Sequence, residues 1–213
     1  MEDRDAGSGG RTVCNLTDNS DFSLTQLSQD FTSPTIKYGL YTARQLDREQ
    51  AVELTVTVGC HDGGRPPLSA DETFTVRVMD VNDHPPRFSK SSYTVNVREN
   101  STVPHMPILR VTATDADEGS NAEVWFSLAD TAAARHATID SETGMIRARD
   151  AFDHEVATRV ELVVLASDRG QPVARTSSAV VSVSVVDIND EAPTFTRSNY
   201  SFGIYENQPP GID

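Results

Sequence analysis

An all-β chain of tandem antiparallel sandwiches, about seven strands in each, is what three features of the 213-residue sequence predict. Apolar and polar residues alternate in short runs, long helical periodicity is absent, and a set of acidic strings returns at a near-constant offset. The runs lie at Val95/Val97, Val111/Ala113, Val124/Phe126/Leu128, Val160/Leu162/Val164/Ala166 and Val181/Val183/Val185. Each is a half-buried strand at period two, and clusters of Gly, Pro, Asp and Asn separate them.

The repeat sets the domain organisation. Asp80-Val81-Asn82-Asp83-His84-Pro85-Pro86-Arg87-Phe88 returns 107 residues later as Asp187-Ile188-Asn189-Asp190-Glu191-Ala192-Pro193-Thr194-Phe195. Leu46-Asp47-Arg48-Glu49 returns as Phe152-Asp153-His154-Glu155, and Tyr93…Glu99-Asn100 as Tyr200…Glu206-Asn207. The modules predicted are residues 1–84, lacking a first strand, a complete one at 85–191, and the start of another at 192–213. Nothing before Asp3 matches Tyr93 to Asn100, so the chain reads as a piece of a longer array. From Asp3 to Asp47 is 44 residues and from Asp115 to Asp153 is 38; the difference is placed in Phe22 to Ile36 as a surface excursion between strands. Pro85-Pro86 and Pro193 stiffen the junctions, where a free linker would be rich in Gly and Ser.

With 32 acidic and 18 basic residues the net charge is −14, which disfavours nucleic acid and anionic membrane surfaces as partners. Asp, Glu and Asn cannot build an apolar core, so their recurrence at module junctions points to sites for hard cations. Carboxylates gathered there without a counter-ion repel by roughly 1 kcal/mol per close pair even at water's dielectric. No Cys/His cluster suggests zinc. The acids are accounted for by the repeat, and no Ser/His system stands out, so an enzyme is not expected. No run approaches the roughly 20 apolar residues of a membrane span, and Met1-Glu2-Asp3-Arg4 does not open like a secretory signal.

In the second module Glu99-Asn100, Asp115-Ala116-Asp117, Asp153-His154-Glu155, Asp168-Arg169-Gly170 and Asp187-Ile188-Asn189-Asp190 follow one another in an order that resembles the extracellular cadherin repeat. The resemblance covers the whole chain. Details of the first module and the Phe152-Asp153-His154-Glu155 variant are most similar to middle repeats of protocadherins, with the Fat and Dachsous cadherins as the other branch. It implies seven-stranded Greek-key, immunoglobulin-like sandwiches joined by calcium-binding linkers.

Ligands carry over position by position. The first junction would use Asp47, Glu49, Asp80, Asn82 and Asp83 with Asp115, Asp117 and Asp168, completed by backbone oxygens near His84 and Asn121. The second would use Glu99, Asp153, Glu155, Asp187, Asn189 and Asp190, and Asp3, Asp5 and Asp62 would receive an ion at the N-terminal edge. The first module has no match for Glu99, which bridges two of three ions in the family, so its junction is expected to keep one complete site and two impaired ones.

The resemblance also bears on single residues. Cys14 aligns with Phe126 and Cys60 with Ala166, on neighbouring strands and facing inward, so the two either form a disulfide or stay buried thiols. Asn15, Asn100 and Asn199 head glycosylation sequons. Trp125 precedes inward Phe126 and should face outward. The implied function is calcium-dependent, homophilic adhesion by a membrane-anchored parent at the outer cell surface, with cadherin ectodomains on the same or the opposing cell as partners. The rival reading is a calcium-stiffened spacer in a large cadherin whose recognition lies elsewhere.

Overall fold

A computed structural model describes residues 12–29, 36–101 and 104–211. Asp3 and Asp5 lie outside the described residues. The strands, in order, are β1 Val13–Leu16, β2 Phe22–Gln29, β3 Ile36–Thr42, β4 Glu53–His61, β5 Ser69–Arg77, β6 Arg87–Phe88, β7 Ser92–Arg98, β8 Pro107–Arg110, β9 Ala113–Thr114, β10 Trp125–Leu128, β11 Ala137–Ile139, β12 Met145–Ala148, β13 Arg159–Ser167 and β14 Thr176–Val186. Short 3-10 turns occupy Gly119–Ala122 and Ala132–His136.

The second unit is a two-sheet sandwich. One sheet runs β10-β13-β14-β7 and the other β11-β12-β8, with β6 pairing with β9 beside it. Seven strands become nine segments because two are interrupted. The first strand changes partner at Ser89–Ser91: β6 is antiparallel to β9, whereas β7 runs parallel to β14. Alternation decides what is buried. On β13 Val160, Leu162, Val164 and Ala166 face inward, and β14 answers with Ala179, Val181, Val183 and Val185. With Val97, Val111, Phe126, Ile146 and Phe152 they form one core, each fully buried side chain contributing roughly 1.5–3 kcal/mol. Gly144, at φ +67°, turns the chain into β12 where a Cβ would collide with the carbonyl oxygen of Val111.

The first unit pairs β1-β4-β5 in one sheet and β2-β3 in another. Counted along the repeat, β1 to β5 correspond to β10 to β14. Among the described residues nothing corresponds to β6–β7 or to β8–β9. The surface excursion expected between Phe22 and Ile36 is corrected over Phe22–Gln29, which forms β2; residues 30–35 lie outside the described residues. β2 and β3 form an antiparallel ladder eight and seven residues long, against three and four in β11 and β12. The Ser-, Thr- and Gln-rich composition reads as a loop, but cross-strand pairing accommodates such residues on an exposed face.

The alignment of the modules reappears in register. Cys14 stands opposite Cys60, as Phe126 stands opposite Ala166. The two cysteines are bonded, with their Cα atoms 4.0 Å apart. This cross-link replaces an aromatic-to-small pair at the centre of the second unit's core. Trp125 is half-buried on the outer face, with the Arg169 guanidinium 3.8 Å from its ring.

Replacing both cysteines by alanine is expected to destabilise the first unit by about 3–4 kcal/mol, the loop-closure value for a 46-residue separation. Calorimetry should show one transition moving down while that of the second unit stays in place. Two unmoved transitions would contradict it.

Candidate metal centre

Side chains on four segments converge where the first unit meets the second: the turn after β3, the acidic run between β5 and β6, the loop after β9 and the loop after β13. Pro86 is fully buried and fixes the path of the acidic run. The chain leaves β5 with Asp80, Asn82, Asp83 and His84 directed at the tip of the second unit.

Asp80 is the most heavily engaged of these. Its Oδ2 accepts from the Glu118 amide at 3.1 Å and from Nδ2 of Asn121 at 2.8 Å, and its Oδ1 from Nε of Arg48 at 2.5 Å. Burial opposes its ionisation, but these donors outweigh burial and hold the carboxyl below its ordinary range. Asn82 reaches further across, its Nδ2 donating to Oδ1 of Asp168 and to the Val173 carbonyl, both at 3.1 Å. The backbone carbonyl of Asn82 accepts from Nε of Arg175 at 2.7 Å.

Asp168 is buried in the loop after β13, and its carboxylate receives the amides of Gly170 at 2.8 Å and Arg175 at 3.0 Å. Asp62 does the same in the first unit with the amides of Gly64 and Leu68, both at 2.9 Å. A cis X-Pro bond follows in each loop, at Arg65-Pro66 and Gln171-Pro172. The loop is therefore duplicated along with the motif.

Asn82 also explains the glycine of Asp168-Arg169-Gly170. A Cβ on Gly170 would overlap Nδ2 of Asn82 and come within 3.0 Å of Oδ1 of Asn121. The second unit must be bare there for the linker amide to enter.

Two acceptors at this junction are buried without a hydrogen-bond partner: Oδ1 of Asn82 and Oδ2 of Asp115. The two acceptors on the Nδ2 side of Asn82 fix the orientation of its amide. Burial pushes the Asp115 carboxyl up, and repulsion from Asp117 and Asp168 adds to it. Empty oxygen acceptors amid carboxylates fit a hard cation that takes six to eight oxygens.

On the other side of the junction Glu49, Asp83, His84 and Asp117 bring ligand atoms within 4.8 Å of one another. Asp117 is buried, and the His84 amide donates to its Oδ2 at 3.2 Å. Nδ1 of His84 lies 2.7 Å from Asp83 and 3.2 Å from Asp117. Partial burial works against protonation of the imidazole, but these carboxylates prevail and raise its pKa. Asp47 sits beside this group, lining the same groove as Glu49 and Asp83, with its Oδ1 on the Glu49 amide.

The second junction gathers its acids too. Glu99 is completely buried and accepts from the Ile188 and His154 amides at 2.7 and 2.8 Å, which hold its pKa down. It lies in one group with Glu155 and Asp190, while Glu155 also groups with His154 and Asp187. Glu155 is drawn down by its own backbone, but burial and repulsion from Glu99 and Asp190 push it up on balance. Asp153 caps the adjacent turn through the Val156 amide, and Asn189 is exposed on the acidic run. Asn100, at φ +51°, and Asn207, at φ +64°, take the left-handed conformation that asparagine tolerates, which accounts for the Glu-Asn pairing in both copies. The Asn100 side-chain amide is engaged by Asp190.

Sequence reasoning overlooked three residues here: the Arg48 side chain, the His84 imidazole and Gly170. Each lay inside a motif read for its acids. The contrast of Arg48 with His154, and of His84 with Glu191, was the available signal.

The cadherin domain family matches residues 93–186. The chain is 39% identical over 210 residues to human Protocadherin-1, covering 98% of the chain and 20% of that protein. It is 38% identical over 196 residues to human Protocadherin gamma-A9, covering 90% and 20%. The chain thus spans about a fifth of the length of the curated relatives it matches. Among solved structures, a cis-dimer of Protocadherin gammaB7 EC3-6 superposes with a TM-score of 0.81 at 35% identity, over 94% of this chain and 46% of that one. Protocadherin Gamma B2 extracellular cadherin domains 3-6 superpose with a TM-score of 0.80 at 34% identity, over 94% and 46%.

Gly170→Ala is expected to expel the Asn82 side chain and lose its two bonds across the junction, a cost of about 1–3 kcal/mol. Limited proteolysis should then cut the run from Asp80 to Arg87 faster, with the far-ultraviolet spectrum unchanged. Wild-type cleavage rates would show that Asn82 does not need the space.

Proposed function

The chain belongs to the cadherin superfamily, with protocadherins as its relatives, and from that premise we propose that it is part of a calcium-dependent, homophilic adhesion ectodomain. The modules are read as residues 1–84, 85–191 and 192–213. The first junction takes calcium through Asn82, Asp115, Asp117, Asp168 and backbone oxygens near His84 and Asn121, with Asp47, Glu49, Asp80 and Asp83 on its less complete side. The second uses Glu99, Asp153, Glu155, Asp187, Asn189 and Asp190, and Asp62, with Asp3 and Asp5, belongs to an N-terminal edge.

The observation that carries this reading is the pair of buried, unpartnered oxygens on Asn82 and Asp115. One belongs to the linker and the other to the second unit, so a cation accepted by both ties the units together. Calcium supplies positive charge where carboxylates otherwise repel, and so sets the stiffness of the rod. The protein's own groups orient the donors: Gly170 admits Asn82, the loop amides aim Asp168, and Pro86 fixes the linker. Partner choice then rests on the outer faces of the sheets, and the parent is read as anchored in the membrane with these modules outside.

Thermal unfolding in chelator and in millimolar calcium tests the site. A ligand at a hundred times its Kd adds about 2.7 kcal/mol to the folded state, so the midpoint is expected to rise by several degrees. A folded chain with no rise would remove the ligand assignment. Equilibrium sedimentation in calcium tests adhesion by these modules, self-association being expected and a monomer at all concentrations counting against it.

A further inference from the structure

The guanidinium of Arg48 occupies the less complete side of the first junction. It is only 12% exposed and is held on three sides: Nε donates to Asp80 at 2.5 Å, and Nη2 donates to Glu49 and, at 2.6 Å, to the Ala116 carbonyl. Glu49 and Asp80 belong to the first unit and Ala116 to the second. Arg48 therefore bridges the two units without a metal. The oxygens it touches contrast with Asn82 Oδ1 and Asp115 Oδ2, which no donor fills.

We infer that Arg48 is a built-in cation of the first junction, clamping the units in place of an ion and competing with calcium for the oxygens of Asp80 and Glu49. The inference rests on the calcium reading of the same site. A guanidinium presents a planar fork that two carboxylates and a carbonyl satisfy together, and its charge persists at any physiological pH. A divalent cation approaching Asp80 meets that positive charge at close range, so it binds more weakly than it would without Arg48. Asp80 is already shared among three donors, and a metal must displace Arg48 or accept a crowded ligand. The second copy of the motif carries His154 at the matching position, and among the described residues no arginine pairs with Glu155 or Asp187. The two junctions should thus differ in how much order survives without calcium.

The test compares the full chain with Arg48→Gln, which removes the charge, and Arg48→Lys, which keeps the charge and loses the fork. The readouts are calcium affinity by titration calorimetry, and hydrogen exchange of the Glu118 amide, which bonds to Asp80, in chelator. Arg48→Gln is expected to bind calcium at the first junction roughly tenfold more tightly while exchanging the Glu118 amide faster in chelator. Arg48→Lys should exchange faster with affinity near wild type. Faster exchange with unchanged or weaker affinity in Arg48→Gln would leave Arg48 a structural contact and overturn the competition. Wild-type exchange in both variants would overturn the clamp. Absence of calcium binding in all three proteins would overturn the calcium reading and this inference with it.

Discussion

Repulsion among carboxylates at the module junctions is the constraint on which the rest of the arrangement depends. A sandwich buries its apolar faces and leaves its ends as loops, and this chain places its densest acids on those ends. At the second junction Glu99 is wholly buried against Glu155 and Asp190, and the Ile188 and His154 amides are the main donors that hold its pKa down. At the first, arginine and histidine side chains reach into the acids as well. Such ends stay together only when positive charge or donated hydrogen bonds offset the repulsion.

The sandwiches serve this end geometrically. Interruption of the first strand lets β6 pair with β9 and β7 with β14, so the linker entering at Pro86 is tied to two different strands within a dozen residues. The loops after β9 and β13 present Asp115, Asp117 and Asp168 at that same edge. Those of Asp115 and Asp168 are aimed by backbone amides within their own loops, and that of Asp117 by the His84 amide of the linker. Rigidity of the core is thereby passed to the junction. The first unit reaches the same layout with the Cys14–Cys60 bond in place of the Phe126–Ala166 contact.

The module ends are variations on one design. The Asp62 and Asp168 loops share their amide contacts and their cis X-Pro bonds, and the Glu-Asn corners share their left-handed asparagine. The differences fall where the motif leaves side chains free: Arg48 against His154, and His84 against Glu191. Positions that contribute a carboxylate to the cluster do not vary in kind, whereas positions between them set how much positive charge the protein itself supplies.

Sequence alone determined the class of fold and the offset at which the acidic strings recur, because alternation at period two and recurrence at a fixed offset are linear properties of the chain. The pairing of Cys14 with Cys60 was narrowed to adjacent inward strands, yet bonding depended on a register that only the folded sheet supplies. Tertiary structure alone decided that Phe22–Gln29 is a strand, since its exposed Ser and Thr residues lack a strong pattern and pair only once β3 lies beside them. It also decided which acids keep an empty oxygen and which are already occupied. That distinction between Asp115 and Asp80 depends on donors 38 to 41 residues away in sequence or on another motif, and no spacing in the chain records it.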